Sequence, residues 1–395
     1  MEGEVSLHLL LLLLASPQEI HAVKEQESLI RVISAGRFET TFTKRKGFGS
    51  TWFDLRHDPE RKRDLAPVLD ENGLFWVKVG KPGDEGSWYA TPSVEMNLLE
   101  DGPVRVRVRF RGPHMRYGYT EAKAAWKELR FEQVYTLYSD GSVFIAYSLE
   151  KDEPIPIHHF LVITKSNGSW GSQGRGEGKG EVKFAGETGA EKPTSESPTA
   201  FTLQWSNGPT YFTDILMVAH KGKFAASYWN EGYEDKDIRS SFDLGSLWPD
   251  RSLPTGKERL HFLMRFMEDI NAAGVAARHA EDYRSPDRLT LTRGTLDTAD
   301  EGDRDMDGYN EEEGCYVLKA AQGIAFTMHG ATTPRVNPVF KIQGWPGASA
   351  SVTMGGKALS TGEEAIVSVR EGTLLLQIFA TVTQDATIAI QPQNK

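Results

Sequence analysis

The stretch EQVYTLYSDGSVFIAYSLE, residues 132 to 150, carries the clearest fold signal in the chain. Two runs rich in Val, Tyr, Phe and Ile flank the dipeptide Asp140-Gly141, which is a strong signal for a β-hairpin turn. The preceding segment VRVRVRF, residues 104 to 110, alternates strictly between apolar and charged residues. That period of two is typical of a strand with one buried face. The sequence therefore predicts a β-sheet in this part of the chain.

Short β-type runs continue in both directions from this hairpin. Segment 38–55 looks like another pair of strands, and further runs follow at FLVITKS, AFTLQWS and RLHFLMRF. Helices are predicted only over EAKAAWKEL (121–129) and NAAGVAARHAEDY (271–283). The stretch 166–198 is rich in Gly, Ser, Glu and Pro, so it is predicted to be one long loop.

Two domains are expected, because the chain has 395 residues and a single core rarely exceeds about 250–300. A Pro shortly after the second helix suggests a boundary near residue 285. From about residue 287 onward, short β-type runs separated by turn residues predict a β-sandwich of about 100 residues. The predicted fold is all-β, with a large domain over 28–285, a small C-terminal β-sandwich over 287–395, and few short helices.

Composition limits the classes of function. The net charge is −10, and no long Lys/Arg block is present, which argues against a nucleic-acid partner. The single cysteine, Cys315, excludes an intrachain disulfide. It begins an apolar β run, where a buried and inert thiol is expected. No G-x-S-x-G or zinc-binding motif is present either.

The N-terminus contains the apolar run HLLLLLLA, residues 8 to 15, which is too short to span a bilayer. Its length suits the core of a signal peptide, with cleavage after Ala22. The preceding MEGEVS is acidic, however, where a positive region is expected. The prediction is a signal peptide over 1–22 and an extracytoplasmic protein without an integral membrane segment. The alternative is a buried N-terminal segment.

The large domain opens with SAGRFETTFTKRKGFGSTWFDLRHD, residues 34 to 58. A small residue with Gly, then Arg, an alternating strand, a glycine turn and S-x-W-x-D-L form its pattern. This opening resembles that of the galactose-mutarotase-like β-supersandwich domains of polysaccharide lyases and glycoside hydrolases. The resemblance covers about residues 28–285. It implies a supersandwich fold and a carbohydrate ligand, and a fold does not determine a reaction.

The densest set of candidate site residues lies in SYWNEGYEDKDIRS, 227 to 240. Sugar sites need aromatic faces for stacking, and elimination from a uronic acid needs a base, an acid and a cation that stabilises the enolate. The catalytic candidates here are Glu231, Tyr233, Lys236 and Arg239. Tyr228 and Trp229 are candidates for sugar binding. The alternative is an exposed loop whose charges only contact solvent.

The other candidates come from two nearby segments. In PIPIHHF, 154 to 160, His158 or His159 could act as a general base, although successive strand residues point to opposite faces. An ordinary core or surface histidine is the alternative for both. The segment WSNGPTYFTD, 205 to 214, could line the same cleft with three further sugar-binding candidates, Trp205, Asn207 and Tyr211.

The segment GDRDMDGYNEEEG, 302 to 314, has the spacing of a calcium loop. Aspartates at relative positions 1, 3 and 5, a Gly at 6 and a carbonyl at 7 match an EF-type loop. Position 12 departs, because Gly314 stands where the bidentate acid belongs. The metal candidates are Asp303, Asp305, Asp307, the Tyr309 carbonyl, Glu311 and Glu313. A structural Ca²⁺ is expected from these hard oxygen ligands, with a bare acidic turn or a catalytic carboxylate cluster as the alternatives.

These observations support two hypotheses of function. The first is an exported enzyme, a lyase or hydrolase, that degrades an extracellular polysaccharide. The second is a non-catalytic glycan-binding or cell-surface structural protein with the same fold. The two differ in whether an acid and a base converge on one cleft.

Overall fold

The structure is a computed structural model of the chain. It describes residues 19–34, 36–44, 47–56, 59–61, 76–81, 84–87, 94–116, 125–157, 159–166, 171–177, 183–184, 200–206, 212–222, 224–230, 236–242, 247–267, 275–331 and 333–394. Strand accounts for 60% of it and helix for 4%, so the fold is all-β as predicted. No helix in these ranges is long and apolar enough to cross a membrane.

The N-terminal part consists of short strands with one long central hairpin. The strands are β1 Ile20–Gln26, β2 Leu29–Ser34, β3 Phe38–Thr43, β4 Gly47–Asp54, β5 Trp76–Lys81, β6 Asp84–Ser87, β7 Glu95–Glu100, β8 Arg105–Arg116, β9 Ala125–Tyr138, β10 Ser142–Lys151, β11 Ile155–Pro156, β12 His159–Ser166, β13 Gly171–Glu177, β14 Lys183–Phe184, β15 Ala200–Ser206, β16 Phe212–Ala219, β17 Phe224–Asn230, β18 Lys236–Phe242, β19 Ser252–Leu253 and β20 Gly256–Met267.

A helix follows, and then the C-terminal strands. They are α1 Val275–Arg284, β21 Leu289–Arg293, β22 Thr295–Leu296, β23 Tyr309–Asn310, β24 Cys315–Lys319, β25 Ile324–His329, β26 Arg335–Val336, β27 Val339–Gln343, β28 Ser349–Met354, β29 Lys357–Ala358, β30 Ala365–Arg370, β31 Thr373–Ile378, β32 Thr381–Val382 and β33 Asp385–Gln393. The boundary predicted near residue 285 lies between α1 and β21.

One large sheet dominates the N-terminal part. Thirteen of its 14 strands run in the order β14-β13-β15-β16-β20-β10-β9-β8-β6-β5-β12-β18-β17. The fourteenth, β7, also pairs with β8. The predicted hairpin forms its centre, since β9 pairs with β10 across the turn at Asp140-Gly141. Gly141 has a φ of 86°, a conformation that glycine adopts without strain.

The first hydrophobic core lies between the large sheet and a four-stranded sheet formed by β1, β2, β3 and β4. Strand alternation supplies it, because Val106, Val108 and Phe110 of β8 are all fully buried on this side. Phe42 of β3 packs against them, with its ring centroid 6.0 Å from that of Phe110. The predicted alternation of 104–110 is therefore confirmed.

The second core joins the large sheet to the C-terminal part. The C-terminal strands form a five-stranded and a six-stranded sheet, as the predicted sandwich requires. Their core includes Phe144 and Leu263 from the opposite face of the large sheet, together with Tyr283 of α1. The second face of the central strands is therefore covered by the C-terminal sandwich instead of by solvent.

Two sequence predictions are wrong in the described ranges. Residues 125–129 of the predicted helix 121–129 belong to β9, where Trp126 pairs with His114 of β8. Good helix-forming residues are overridden there by pairing and by burial of Trp126. The predicted loop 166–198 contains β13 and β14, and β13 pairs with β15. The helix at 271–283 is confirmed over its described part, from Val275 onward.

The strand β1 runs through the expected cleavage point at Ala22. Ile20 and Ala22 pair with Ser34 and Val32 of β2, and the Ile20 side chain is fully buried. The Ile20 amide also donates a hydrogen bond to the Pro103 carbonyl at 3.0 Å. Cleavage after Ala22 would therefore remove three paired residues of β1 from the four-stranded sheet.

Candidate functional site

The candidates around 227–240 lie on one edge of the large sheet as far as their backbone is described. Lys236 and Arg239 are in β18, which pairs with both β12 and β17. His159 is the first residue of β12, and Tyr228 and Trp229 are in β17. The structure thus brings these five positions onto three adjacent strands. Glu231, Tyr233 and His158 lie outside the described residues.

The candidates of 205–214 are on a different part of the sheet. Trp205 is in β15, and eight strands separate β15 from β18 in the sheet order. Asn207 and Tyr211 lie outside the described residues. The roles assigned to all these side chains stay predictions.

The acidic loop is described throughout, and it brings three of its predicted ligands together. Asp303, Asp305 and Glu311 each place a carboxylate oxygen within 4.8 Å of the others. Backbone amides of the loop fix Asp303, since Met306 and Gly308 donate to its carboxylate at 2.7 and 2.8 Å. The Arg304 amide donates to Glu311 Oε2 at 3.0 Å. The loop is therefore closed by its own backbone around these carboxylates.

The remaining predicted ligands have other contacts. Asp307 accepts a hydrogen bond from the amide of Tyr309 at 2.8 Å, and the Tyr309 ring lies 4.8 Å from the Arg335 guanidinium carbon. Burial raises the pKa of Asp307 to about 6 and that of Glu311 to about 7. Glu313 lies outside the carboxylate group and pairs with Arg105 instead.

Three consecutive glutamates of this loop each face a different basic side chain of the large sheet. Glu311 Oε1 lies 3.7 Å from Nε2 of His220, which follows β16. Glu312 accepts from His261 of β20 at 3.2 Å. Glu313 pairs with Arg105 of β8 at 2.6 Å. The triplet 311–313 therefore connects the C-terminal sandwich to the large sheet at three points.

Glu313 contacts two further basic side chains besides Arg105. Its carboxylate also lies 3.2 Å from Arg107 and 3.3 Å from Lys341. Burial opposes ionisation of Glu313, but the three cations outweigh burial and hold its pKa well below the usual range. The adjacent Cys315 is fully buried, and burial raises the pKa of its thiol to about 12. The burial of this thiol predicted from sequence is thus confirmed.

A cavity of about 470 Å³ lies beside the contacts that Glu311 and Glu312 make, because His220 and His261 both line it. We call it the basic cavity. Its volume falls within the range of small-molecule sites. Six of its eight lining residues are of basic types. The lining consists of His220, Lys221, Lys257, Arg259, Leu260, His261, Phe262 and Arg304.

The two histidines of the basic cavity are neutral at pH 7. Burial lowers the pKa of His220 to about 4, and two neighbours, His261 in its protonated form and Lys221, add to the effect. Burial also lowers the pKa of His261, although Glu312 opposes this shift. Burial works against ionisation of Glu312, but hydrogen bonds from His261 and Arg304 prevail and hold its pKa at about 2. Glu312 is therefore an anion that orients the neutral His261.

A second cavity of about 520 Å³ adjoins the first. Lys257 lines both, and Arg111, Lys127 and Arg130 line the second cavity. Carboxylates also line it, namely Glu95, Glu132 and Glu150. The basic cavity differs because its lining contains no carboxylate among the described residues.

Sequence reasoning missed the residues of the basic cavity. The available signal was the polar residues at alternate positions of an otherwise apolar strand, as in RLHFLMRF with His261 and Arg265. Alternation alone indicates a solvent-facing strand surface. Only the packing of the C-terminal sandwich turns that surface into a cavity wall, and sequence does not show this packing.

Comparison with known proteins gives a likeness to solved structures only. No family model and no curated protein matches this chain. An α-N-acetylgalactosaminidase from Bifidobacterium bifidum is 11% identical with a TM-score of 0.40, over 68% of this chain and 39% of that chain. A heparan sulfate lyase from Pedobacter heparinus is 7% identical with a TM-score of 0.39, over 78% and 41%. A galactose 1-epimerase from Lactobacillus acidophilus is 10% identical with a TM-score of 0.37, over 64% and 99%.

These structures are carbohydrate-active proteins, the kind to which the N-terminal pattern points. The chain spans about two fifths of the length of the first two, at 39% and 41%. Identities of 11% or less and TM-scores of 0.40 or less do not assign an activity to this chain.

Proposed function

We propose that the protein is carbohydrate-active and that its basic cavity binds an anionic glycan, one that carries uronate or sulfate groups. The observation that carries this proposal is the lining of the cavity. Lys221, Lys257, Arg259 and Arg304 line it together, and Glu312, which pairs with Arg259 and Arg304, lies outside the lining. Guanidinium and ammonium groups are the side chains that bind carboxylate and sulfate oxygens most strongly.

The chemistry that these residues support best is β-elimination from a uronate. In this reaction a base removes the proton next to the carboxylate, and the electron pair of that C–H bond forms a C=C bond. The C–O bond to the leaving sugar breaks, and its oxygen takes up a proton. His261 suits the base because it is neutral and Glu312 fixes its Nε2 at 3.2 Å, which leaves Nδ1 as the unprotonated nitrogen. A cation such as Arg259 would stabilise the charge that develops on the carboxylate.

A hydrolytic mechanism has less support, because it requires two carboxylates beside the scissile bond. The described lining of the basic cavity offers none. The second candidate function is binding without catalysis. It is favoured by one observation, namely that no tyrosine or carboxylic acid, which could protonate the leaving oxygen, lines this cavity in the described part of the chain.

The test is incubation of the purified chain with a panel of uronate, sulfated and neutral polysaccharides. Absorbance at roughly 230–235 nm follows unsaturated uronate, the product of elimination. Binding of each polymer is measured in parallel by calorimetry. His261→Gln should lower the elimination rate by about 10²-fold or more, the usual contribution of a general base. Lys221→Gln combined with Lys257→Gln should weaken binding of acidic polymers.

A matched control is Lys357→Gln, which removes the same charge from an exposed hairpin of the C-terminal sandwich. It should leave both readings unchanged. Binding of an acidic polymer without new absorbance would select the binding function over the lyase. Equal binding of neutral and acidic polymers, or none at all, would overturn the proposal.

The proposal includes action outside the cytoplasm, which rests on the apolar run at 8–15. Because β1 includes Ile20, we expect any cleavage to occur before Glu19. N-terminal sequencing of protein recovered from the secreted fraction checks this. Recovery of the whole chain, with an intact N-terminus, from the cytoplasmic fraction would contradict it.

A further inference from the structure

The carboxylates of Asp303, Asp305 and Glu311 have the mutual spacing of ligands on one ion. Calcium–oxygen distances are about 2.3–2.6 Å, so two ligands of one ion lie at most about 5 Å apart. The three carboxylates each offer an oxygen within 4.8 Å of the others. One residue lies between Asp303 and Asp305 in the chain and five lie between Asp305 and Glu311, and the loop backbone holds Asp303 and Glu311 in place.

One buried oxygen of this group accepts no hydrogen bond, and Nε2 of His220 lies 3.7 Å from it. Glu311 is 0% exposed, and its Oε1 accepts no hydrogen bond. Its other oxygen accepts from the Arg304 amide. An unpaired buried carboxylate oxygen is costly unless a ligand or ion satisfies it. Because this carboxylate belongs to a group of three that converge, a cation is the ligand that fits.

We propose that Asp303, Asp305 and Glu311 form a binding site for a divalent cation, and that the cation is Ca²⁺. Three carboxylates supply hard oxygen ligands, which suit Ca²⁺ better than softer metals. Asp303 keeps free acceptor capacity beside its backbone hydrogen bonds, since a carboxylate has about four lone-pair positions. Asp305 is exposed, so the ion has access to solvent and to water ligands.

The position of Arg304 gives this site a consequence for the basic cavity. Arg304 lies between Asp303 and Asp305 in the chain, its amide bonds Glu311, and its side chain lines the cavity. An ion that fixes both neighbours of Arg304 also fixes the start of its side chain. Binding of an anionic glycan in the cavity should therefore be stronger with Ca²⁺. This second step rests on the function proposed above.

Titration of the full chain with Ca²⁺ alone, after chelator treatment, tests the metal site. Calorimetry gives the affinity, and thermal unfolding with and without Ca²⁺ gives an independent reading. Asp305→Asn should weaken Ca²⁺ binding at least about tenfold, because ligand charge sets affinity. Asp305 is exposed, so this variant is expected to fold. Glu301→Gln is the control, since it removes an exposed charge two positions before Asp303 and outside the carboxylate group.

The outcomes separate the two proposals. No Ca²⁺ binding at millimolar concentration, or equal binding by Asp305→Asn and the parent chain, overturns the metal site. Ca²⁺ binding with the expected loss in Asp305→Asn supports it, even if no glycan binds, in which case only the proposed function fails. For the second step, a short uronate oligosaccharide is titrated with and without Ca²⁺. Equal affinities overturn the coupling, and a Ca²⁺-dependent gain that Arg304→Gln abolishes supports it.

Discussion

Arg105 and Glu313 are 208 positions apart in the chain, and their side chains form a buried ion pair with an Nη1–Oε2 distance of 2.6 Å. Arg105 is 4% exposed and Glu313 is 7% exposed. The pair joins the large sheet to the C-terminal sandwich. Arg105 also donates to Glu100 at 2.8 Å, so its guanidinium is held from two sides.

Removal of the Glu313 charge should be costly, because Arg105, Arg107 and Lys341 lose the carboxylate that they share and Arg105 keeps only Glu100. Glu313→Gln is expected to lower the free energy of unfolding by about 3–5 kcal/mol. Chemical denaturation in urea measures this change. Glu364→Gln, which breaks an exposed pair with Lys357, is the matched control. A loss in Glu313→Gln no larger than in this control would contradict a stabilising role for the buried pair.

Gly314 should not tolerate a side chain. Its φ is 68°, and a Cβ would lie 2.2 Å from the ring of Phe144 in the large sheet. The departure from the calcium-loop pattern at this position therefore has a steric reason. A positive φ alone costs an alanine about 1 kcal/mol of backbone strain. Gly314→Ala should lower the free energy of unfolding by clearly more than this, because the Cβ also meets the Phe144 ring.

Gly372→Ala provides the comparison for Gly314. Gly372 has a φ of 72°, and its Cβ would meet nothing within 4 Å. The difference in melting temperature between the two variants isolates the contact with Phe144. Similar melting temperatures would mean that the loop end does not pack closely on the large sheet.

His279 makes the stability dependent on pH below neutrality. Burial lowers its pKa to about 2, and the charges of Arg265 and Arg278 add to this effect. Arg265 donates to its Nδ1 at 2.9 Å. The pKa in the folded protein is below the unfolded value of about 6.5. The stabilisation that neutral His279 contributes is therefore fully present above pH 6.5 and is lost as the pH falls.

The expected loss from His279 is at most about 1.4 kcal/mol per pH unit. His279→Gln, whose amide oxygen can still accept from Arg265, should therefore show a shallower fall in melting temperature between pH 7 and pH 4.5. The parent and the variant are compared by thermal unfolding across this range. Parallel curves would show that His279 does not contribute.

The start of the folded domain can be located by truncation. Deletion of residues 1–18 removes none of the described strands, whereas deletion of 1–22 removes the fully buried Ile20 and its pairing with β2. The longer deletion should lower stability by about 2–5 kcal/mol, the cost of losing a large buried aliphatic side chain. Equal melting temperatures for the two truncated proteins would contradict the role of β1.

The sequence predicted much of the fold because alternation and turn chemistry are local. The hairpin at 132–150 and the strand at 104–110 are examples. It failed at 125–129, where helix-forming residues are pulled into β9 by their neighbours in the sheet. Local preference is weak against pairing and burial, and only the assembled sheet reveals which of them prevails.

The candidate site was harder to predict than the fold. The spacing of Asp303 and Asp305 in the loop pointed correctly to converging carboxylates. The alternating pattern of β8 implied that Arg105 faces solvent, yet the C-terminal sandwich buries it. His220 and His261 escaped notice because the cavity forms from residues of separate strands. The position of the cavity depends on how strands that are distant in the sequence pack together, and no short sequence motif predicts that packing.

The triplet 311–313 reaches three different strands or strand ends of the large sheet through three neighbouring side chains. An insertion or deletion of one residue here would shift all three contacts together, whereas a substitution affects only one. Length is thus constrained more strongly than composition in this segment. Among natural variants of this chain, gaps should accumulate elsewhere in the C-terminal loops and stay absent between Asn310 and Gly314.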